Sequence, residues 1–141
     1  MQLSVVCSED SDSMVARSED AGTVLGNLMP KGMAEMCKVW PKGKLPADFH
    51  QPLRTPVPAL VLEGEFDPVT PPRYGKDVVK TLPNGRLFVL RGQGHNVMGA
   101  GCMPKLFTQF IEKANAKTLD GACLDKLAYP MPFLNFNGAA P

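Results

Sequence analysis

Two short apolar runs, Val57–Glu63 (VPALVLE) and Arg86–Leu90 (RLFVL), stand a helix-length apart. The stretch between them opens on Pro71-Pro72 and closes on Pro83-Asn84-Gly85. The first run is apolar without alternation, the pattern of a strand covered on both faces of a parallel sheet. A proline in the first helical turn sacrifices no hydrogen bond, so Pro71-Pro72 suits a helix start, and the Asn-Gly pair suits its stop. Tyr74, Val78, Val79 and Leu82 are expected to turn inward from that helix. Strand, helix, strand in this order is a βαβ unit, which requires parallel pairing and a right-handed crossover. A further amphipathic helix is predicted over Met103–Ala116, with Leu106, Phe107, Phe110 and Ile111 on one face. The fold class is therefore α/β.

In open sheets of this kind, ligands bind beyond the carboxyl ends of the strands. Asp67, in LVLEGEFDPVTPP, falls just past the first run, and His95, in LFVLRGQGHNV, just past the second. A serine hydroxyl becomes a nucleophile when an imidazole takes its proton, and a carboxylate fixes the imidazole's tautomer and stabilises its charged form. Asp67 is the candidate acid and His95 the candidate base. Gly64 and Pro68 are expected to shape the acid's loop, and Gly92 and Gly94 to allow a tight approach of the base. Each residue alone has an ordinary reading: Asp-Pro after a strand is a common turn, and a histidine in a glycine-rich loop can simply cap a backbone group. Both together, in that order and at two strand ends, favour catalysis.

The nucleophile is not in view. No Gly-x-Ser-x-Gly occurs in the 141 residues. The five serines (Ser4, Ser8, Ser11, Ser13 and Ser18) crowd the first eighteen positions and read as turn and cap residues. Because the acid and base follow the serine in chain order in such sheets, the serine is expected outside this chain, upstream. Glu9 and Asp10 follow a β-prone run, Gln2–Cys7. A carboxylate there could hold a substrate amino group, although a surface turn is the ordinary role. His50 lies in an irregular connector, without a partner pattern, and is expected to be exposed.

Three segments follow from the pattern: 1–52, a region ahead of the sheet with its connector; 53–117, the βαβα unit; and 118–141, a Pro/Gly-rich tail with aromatic anchors at Tyr129, Phe133 and Phe136. Within the first, a helix is predicted from about Met14 to Leu28 despite Gly22 and Gly26. A second starts near Pro30, with Met33, Met36, Cys37 and Trp40 at helical spacing before Pro41. Its methionine-rich face suits core packing or the lining of a substrate cleft.

Charge excludes some partners. Basic and acidic side chains nearly balance, at a net +1, so no nucleic acid and no anionic membrane is implied. The apolar runs are too short to span a bilayer. The N-terminus has no basic region ahead of its apolar stretch and does not read as a signal peptide. No C-x-x-C is present, so no metal is expected, and nothing implies a cofactor. Four cysteines admit three pairings, or four free thiols. Local pairs, Cys7–Cys37 and Cys102–Cys123, are preferred, because Cys102 and Cys123 bracket a helix and a glycine-rich return where a tail needs fastening. Each crosslink would contribute roughly 3 kcal/mol by loop closure.

Taken together, VVCSED, CKVWP at Cys37–Pro41, PALVLEGEFDPVTPP, GQGHNV and the closing Cys102…Cys123 segment resemble the C-terminal region of the tripeptidyl aminopeptidase-like α/β hydrolases, relatives of the prolyl aminopeptidases. The resemblance implies the C-terminal portion of an α/β-hydrolase fold: its last parallel strands with flanking helices, and the end of a lid region. It implies an exported (periplasmic or secreted) serine hydrolase that removes short peptides or single residues from peptide N-termini, or acts as an esterase. The family's acid falls on Asp67 and its base on His95, and the cysteines match paired positions. The nucleophile turn, the oxyanion-hole loop and most of the lid are missing, so the chain alone is expected to be inactive. It is expected to be completed by the N-terminal part of the hydrolase, covalent or separate, or to self-associate. The alternative is a non-catalytic, disulfide-stapled interaction module that binds through the aromatic tail and the methionine-rich face.

Overall fold

The two apolar runs pair. In the computed structural model, which describes residues 1–136 together with 138 and 139, β1 (Ala59–Gly64) lies parallel to β2 (Gly85–Leu90), in register from Ala59 opposite Gly85 to Gly64 opposite Leu90. The chain divides into two compact units, Met1–Gln51 and Pro52–Pro141.

In the second unit the crossover is α3 (Pro72–Val79), with a proline in its first turn. Tyr74 and Val78 point outward rather than inward and are about half exposed. The helix meets the sheet through Gly75, its one buried residue. A Cβ at Gly75 would lie 2.7 Å from Glu63 Oε1 and 3.0 Å from Leu87 Cδ1. Backbone thus approaches the sheet where a bulky side chain was expected, and Leu82, past the helix end, supplies the buried apolar group.

The core gathers on β2 and the elements that follow it: Phe88, Leu90, Val97, Met103, Leu106, Leu119 and Leu124, with Leu60 and Leu62 of β1 packed against it. Leu90 and Met103 are wholly buried, each stabilising the fold by about 2–3 kcal/mol relative to exposure. Helix α4 (Met103–Lys113) ends three residues short of expectation, with Ala114 in the left-handed region at φ 47°. Its inner face holds Met103 and Leu106, while Phe107 and Ile111 are exposed. The apolar stripe is therefore wider than the face that is covered. Arg86 ties the return to β2 by donating from Nη1 to the carbonyls of Lys117 (3.0 Å) and Leu119.

Cys102, at the start of α4, is disulfide-bonded to Cys123 in a short 3-10 turn, Ala122–Lys126. Beyond it, β3 (Phe133–Asn135) pairs antiparallel with β4 (Gly138–Ala139), a pairing that the Pro/Gly-rich composition did not announce. Phe133 and Phe136 are exposed and do not anchor the tail. Tyr129 does make contacts, described below.

In the first unit, Gln2–Cys7 is not a strand. It belongs to α1 (Gln2–Glu9), and α2 follows at Leu28–Val39. A lone β-prone run leaves its backbone groups unpaired without a neighbouring strand, whereas a helix satisfies its own. The Cys7–Cys37 disulfide joins α1 to α2, and these two cysteines are the only buried residues from 1 to 51. The helix expected over Met14–Leu28 is replaced by a 3-10 turn at Ser18–Asp20 set among turns and bends, and another 3-10 turn, Ser11–Ser13, precedes it. Asn27 closes the loop between them and α2: its Oδ1 accepts from the Arg17 N–H at 2.9 Å and its Nδ2 donates to the Arg17 carbonyl at 2.8 Å. Gly26 at φ +49° and side chains that bond local backbone defeat the helix. Among the described residues, no helix is long and apolar enough to cross a membrane.

Candidate functional site

Parallel register brings the ends of β1 and β2 level, so the loops that follow emerge side by side. The amide of Glu65 donates to the Leu90 carbonyl at 3.0 Å, and the amide of Phe66 to the Gln93 carbonyl at 2.9 Å. Gly64 permits this approach, since a Cβ there would collide with the carbonyls of Gln93 and Gly94. Clearance is thus required at Gly64 and not at Gly94, where an added Cβ would meet nothing within 4 Å. Gly92 is constrained by its backbone, at φ +69°.

Asp67 and His95 are brought together by these loops. His95 Nδ1 lies 2.8 Å from Asp67 Oδ2. Their surroundings differ sharply: the Asp67 side chain is 2% exposed and that of His95 61%. The carboxylate has four donors. Oδ1 accepts from the amides of Val69 (2.8 Å) and Thr70 (3.0 Å), while Oδ2 accepts from the Thr70 hydroxyl (2.8 Å) and from His95. Burial alone would favour the neutral acid, but the hydrogen bonds from the Thr70 amide, His95, the Thr70 hydroxyl and the Val69 amide outweigh it. They hold the Asp67 carboxyl well below the usual aspartate range.

An ionised carboxylate only accepts. The proton in the Asp67–His95 bond therefore sits on His95 Nδ1, and Nε2 of the neutral ring is left with its lone pair. An imidazole held this way can take a proton at Nε2, and the carboxylate then stabilises the imidazolium. Thr70 is a third member of this cluster. Its hydroxyl lies 3.4 Å from His95 Nδ1 and shares Asp67 Oδ2 with the ring. The signal was present in DPVTPP, where an aspartate two and three residues ahead of amides invites an Asx turn.

Glu9 and Asp10 belong to the first unit and stand at the end of α1, not after a strand. With Ser8, Asp12, Leu45 and His50 they line an open cavity of about 460 Å³. His50 is exposed, its ring edge-on to Phe49. The serines make local bonds: Ser8 Oγ donates to the Ser4 carbonyl (2.6 Å) and accepts from the Gly43 amide (2.8 Å), and Ser13 donates to the Asp10 carbonyl. No serine is hydrogen-bonded to an imidazole among the described residues. No group of three or more His, Cys, Asp or Glu side chains is disposed to hold a metal ion, again among the described residues.

A parallel βαβ unit with a carboxylate and an imidazole meeting past its strand ends is the arrangement of the α/β hydrolases. The model of one of their families, described as TAP-like protein, matches residues 22–123, and the chain belongs to that family. No curated protein and no solved structure matches the chain.

Proposed function

We propose that the chain is the C-terminal part of a serine hydrolase, an aminopeptidase or esterase, in which Asp67 orients His95 and His95 activates a serine supplied from outside these 141 residues. The observation that carries this reading is the 2.8 Å contact of a buried, ionised carboxylate with an exposed imidazole. In the reaction, Nε2 of His95 takes the serine proton as the hydroxyl oxygen attacks the acyl carbon, then returns it to the departing amine or alcohol. The resemblance of the segments around Asp67 and His95 to the tripeptidyl aminopeptidase-like hydrolases supports N-terminal peptide cleavage as the first substrate class to test. The two disulfides support export to an oxidising compartment.

Completion by the N-terminal part of the hydrolase, as one chain or two, is supported by the sheet. Among the described residues β1 and β2 take no further strand, and Ala59–Leu62 are only partly covered. Two parallel strands need neighbours and helices on both faces; self-association would answer the same need. Residues 1–52 would then be the end of the lid, 53–117 the end of the core, and 118–141 its fastened tail. Glu9 and Asp10 would hold a substrate's amino group, and their shared cavity supports this.

The test is turnover of aminoacyl-nitroanilides and acyl esters by the complete protein. His95→Ala should lower kcat on the order of 10⁴-fold or more. Turnover within about twofold of wild type would refute the assignment. It would leave the interaction module, which the exposed Phe133 and Phe136 would serve.

A further inference from the structure

We propose that Glu65 and Tyr129 act as a positioning clamp for His95, locking the loop that bears the base to the loop that bears the acid. Glu65 lies two residues ahead of Asp67. Its Oε2 accepts from the Gly92 amide at 2.8 Å, and its Oε1 accepts from the Tyr129 hydroxyl at 3.1 Å. One carboxylate thereby joins the base loop and the C-terminal segment. Tyr129 is gripped from both loops: the Phe66 ring stacks on it at 5.8 Å between centroids, and the Arg91 guanidinium lies 4.2 Å from its ring centre.

Gly92 is where the three strands of chain meet. A Cβ there would be 3.0 Å from Tyr129 Cδ1 and 3.0 Å from Pro130 Cδ, so the segment at 129–130 seats directly on this residue. His95 itself has little else to hold it. Its side chain is mostly exposed, and among the described residues its ring is bonded to Asp67 Oδ2, with Thr70 Oγ1 at 3.4 Å. The ring's placement is therefore set by the backbone of residues 91–94, which the Phe66 amide holds at the Gln93 carbonyl and the Glu65 side chain, reaching in from the acid's loop, holds at the Gly92 amide. Neither Glu65 nor Tyr129 touches the imidazole; they act through Gly92. The same clamp explains why the tail is fastened near Tyr129 while Phe133 and Phe136 stay exposed.

As geometry the clamp stands by itself, and as a contribution to turnover it rests on the hydrolase reading. Two measurements keep these apart. In the 141-residue chain, NMR follows the His95 Nδ1–H resonance and its exchange with water. In the complete protein, kinetics separates kcat from KM. Glu65→Ala should speed Nδ1–H exchange and lower kcat about tenfold or more with KM little changed, since misplacing a catalytic group costs rate rather than binding. Glu65→Gln, whose amide oxygen can still accept from Gly92, should recover most of the loss. Tyr129→Phe removes one hydroxyl and should cost less, roughly threefold in kcat. A folded Glu65→Ala chain with wild-type Nδ1–H position and exchange overturns the clamp. Should that variant not fold, the Tyr129→Phe chain decides, and unchanged exchange there overturns it equally. If His95→Ala leaves turnover intact, the hydrolase reading falls while the NMR results still decide the clamp.

Discussion

Residues 1–51 and 52–141 reach order by different means. The first unit buries only two residues, and those are the two halves of one disulfide. Around that link its structure is local: 3-10 turns, a looped Arg17–Asn27 clasp, and serines bonded to nearby backbone. The second unit buries a contiguous apolar cluster under two parallel strands, and its own disulfide fastens an element that already packs on that cluster. Covalent closure limits where a chain can go, but side chains are not thereby fixed to a fraction of an ångström. Packing fixes them. The Asp67–His95 pair lies where packing, not closure, sets the backbone.

The sharpest way to break the contrast is to remove the Cys7–Cys37 link. Cys7→Ser with Cys37→Ser should cost the first unit about 3–4 kcal/mol for a loop of that length, with nothing else buried to compensate. Amide exchange should then show α1 and α2 losing protection while β1, β2 and α4 keep theirs; protected helices in the first unit would show a core not visible in the burial pattern. A smaller effect belongs to acid. The folded Asp67 carboxyl ionises well below its unfolded value, so the unfolded chain binds the extra proton and stability rises with pH across that window. Its contribution should be complete above about pH 4 and decline as the pH falls further. Unfolding of the second unit followed by circular dichroism should show that decline in the wild type and a flatter curve in Asp67→Asn. The mildest effect should come from the first unit's carboxylates. Glu9→Gln with Asp10→Asn should raise KM a few-fold in the complete protein and leave kcat alone, as exposed charge pairs contribute about 0.2–1 kcal/mol. A change in kcat instead would move these residues out of substrate binding.

What could be read in the sequence followed the same division. VPALVLE and RLFVL declared a parallel pair because continuous apolar runs bounded by Pro and Gly have few other homes, and Asp67 and His95 meet because parallel register levels the strand ends. Gln2–Cys7 has the composition of a strand and folds as a helix because β-propensity is conditional on a neighbour that the unit does not provide. Met14–Leu28 has helical apolar spacing, but Gly22, Gly26 and the bonding reach of Thr23 and Asn27 outweigh it. Tyr74 and Val78 were placed inward by periodicity, yet an eight-residue helix seated on Gly75 turns its bulk outward. Glu65 is not legible in the sequence for a different reason. Its role depends on which atoms two loops and the C-terminal segment bring together, and sequence spacing says little about that.

One consequence of the Cys102–Cys123 crosslink reaches beyond its own loop. Only five residues lie between Cys123 and Tyr129, a tether of at most about 20 Å. Should the tyrosine let go of Glu65, it cannot diffuse off; it samples a small sphere at an effective concentration on the order of millimolar. Release is then brief and recapture quick. A bond formed by sulfur at one end of a helix becomes a leash that sets how long an aromatic ring can stay away from its seat.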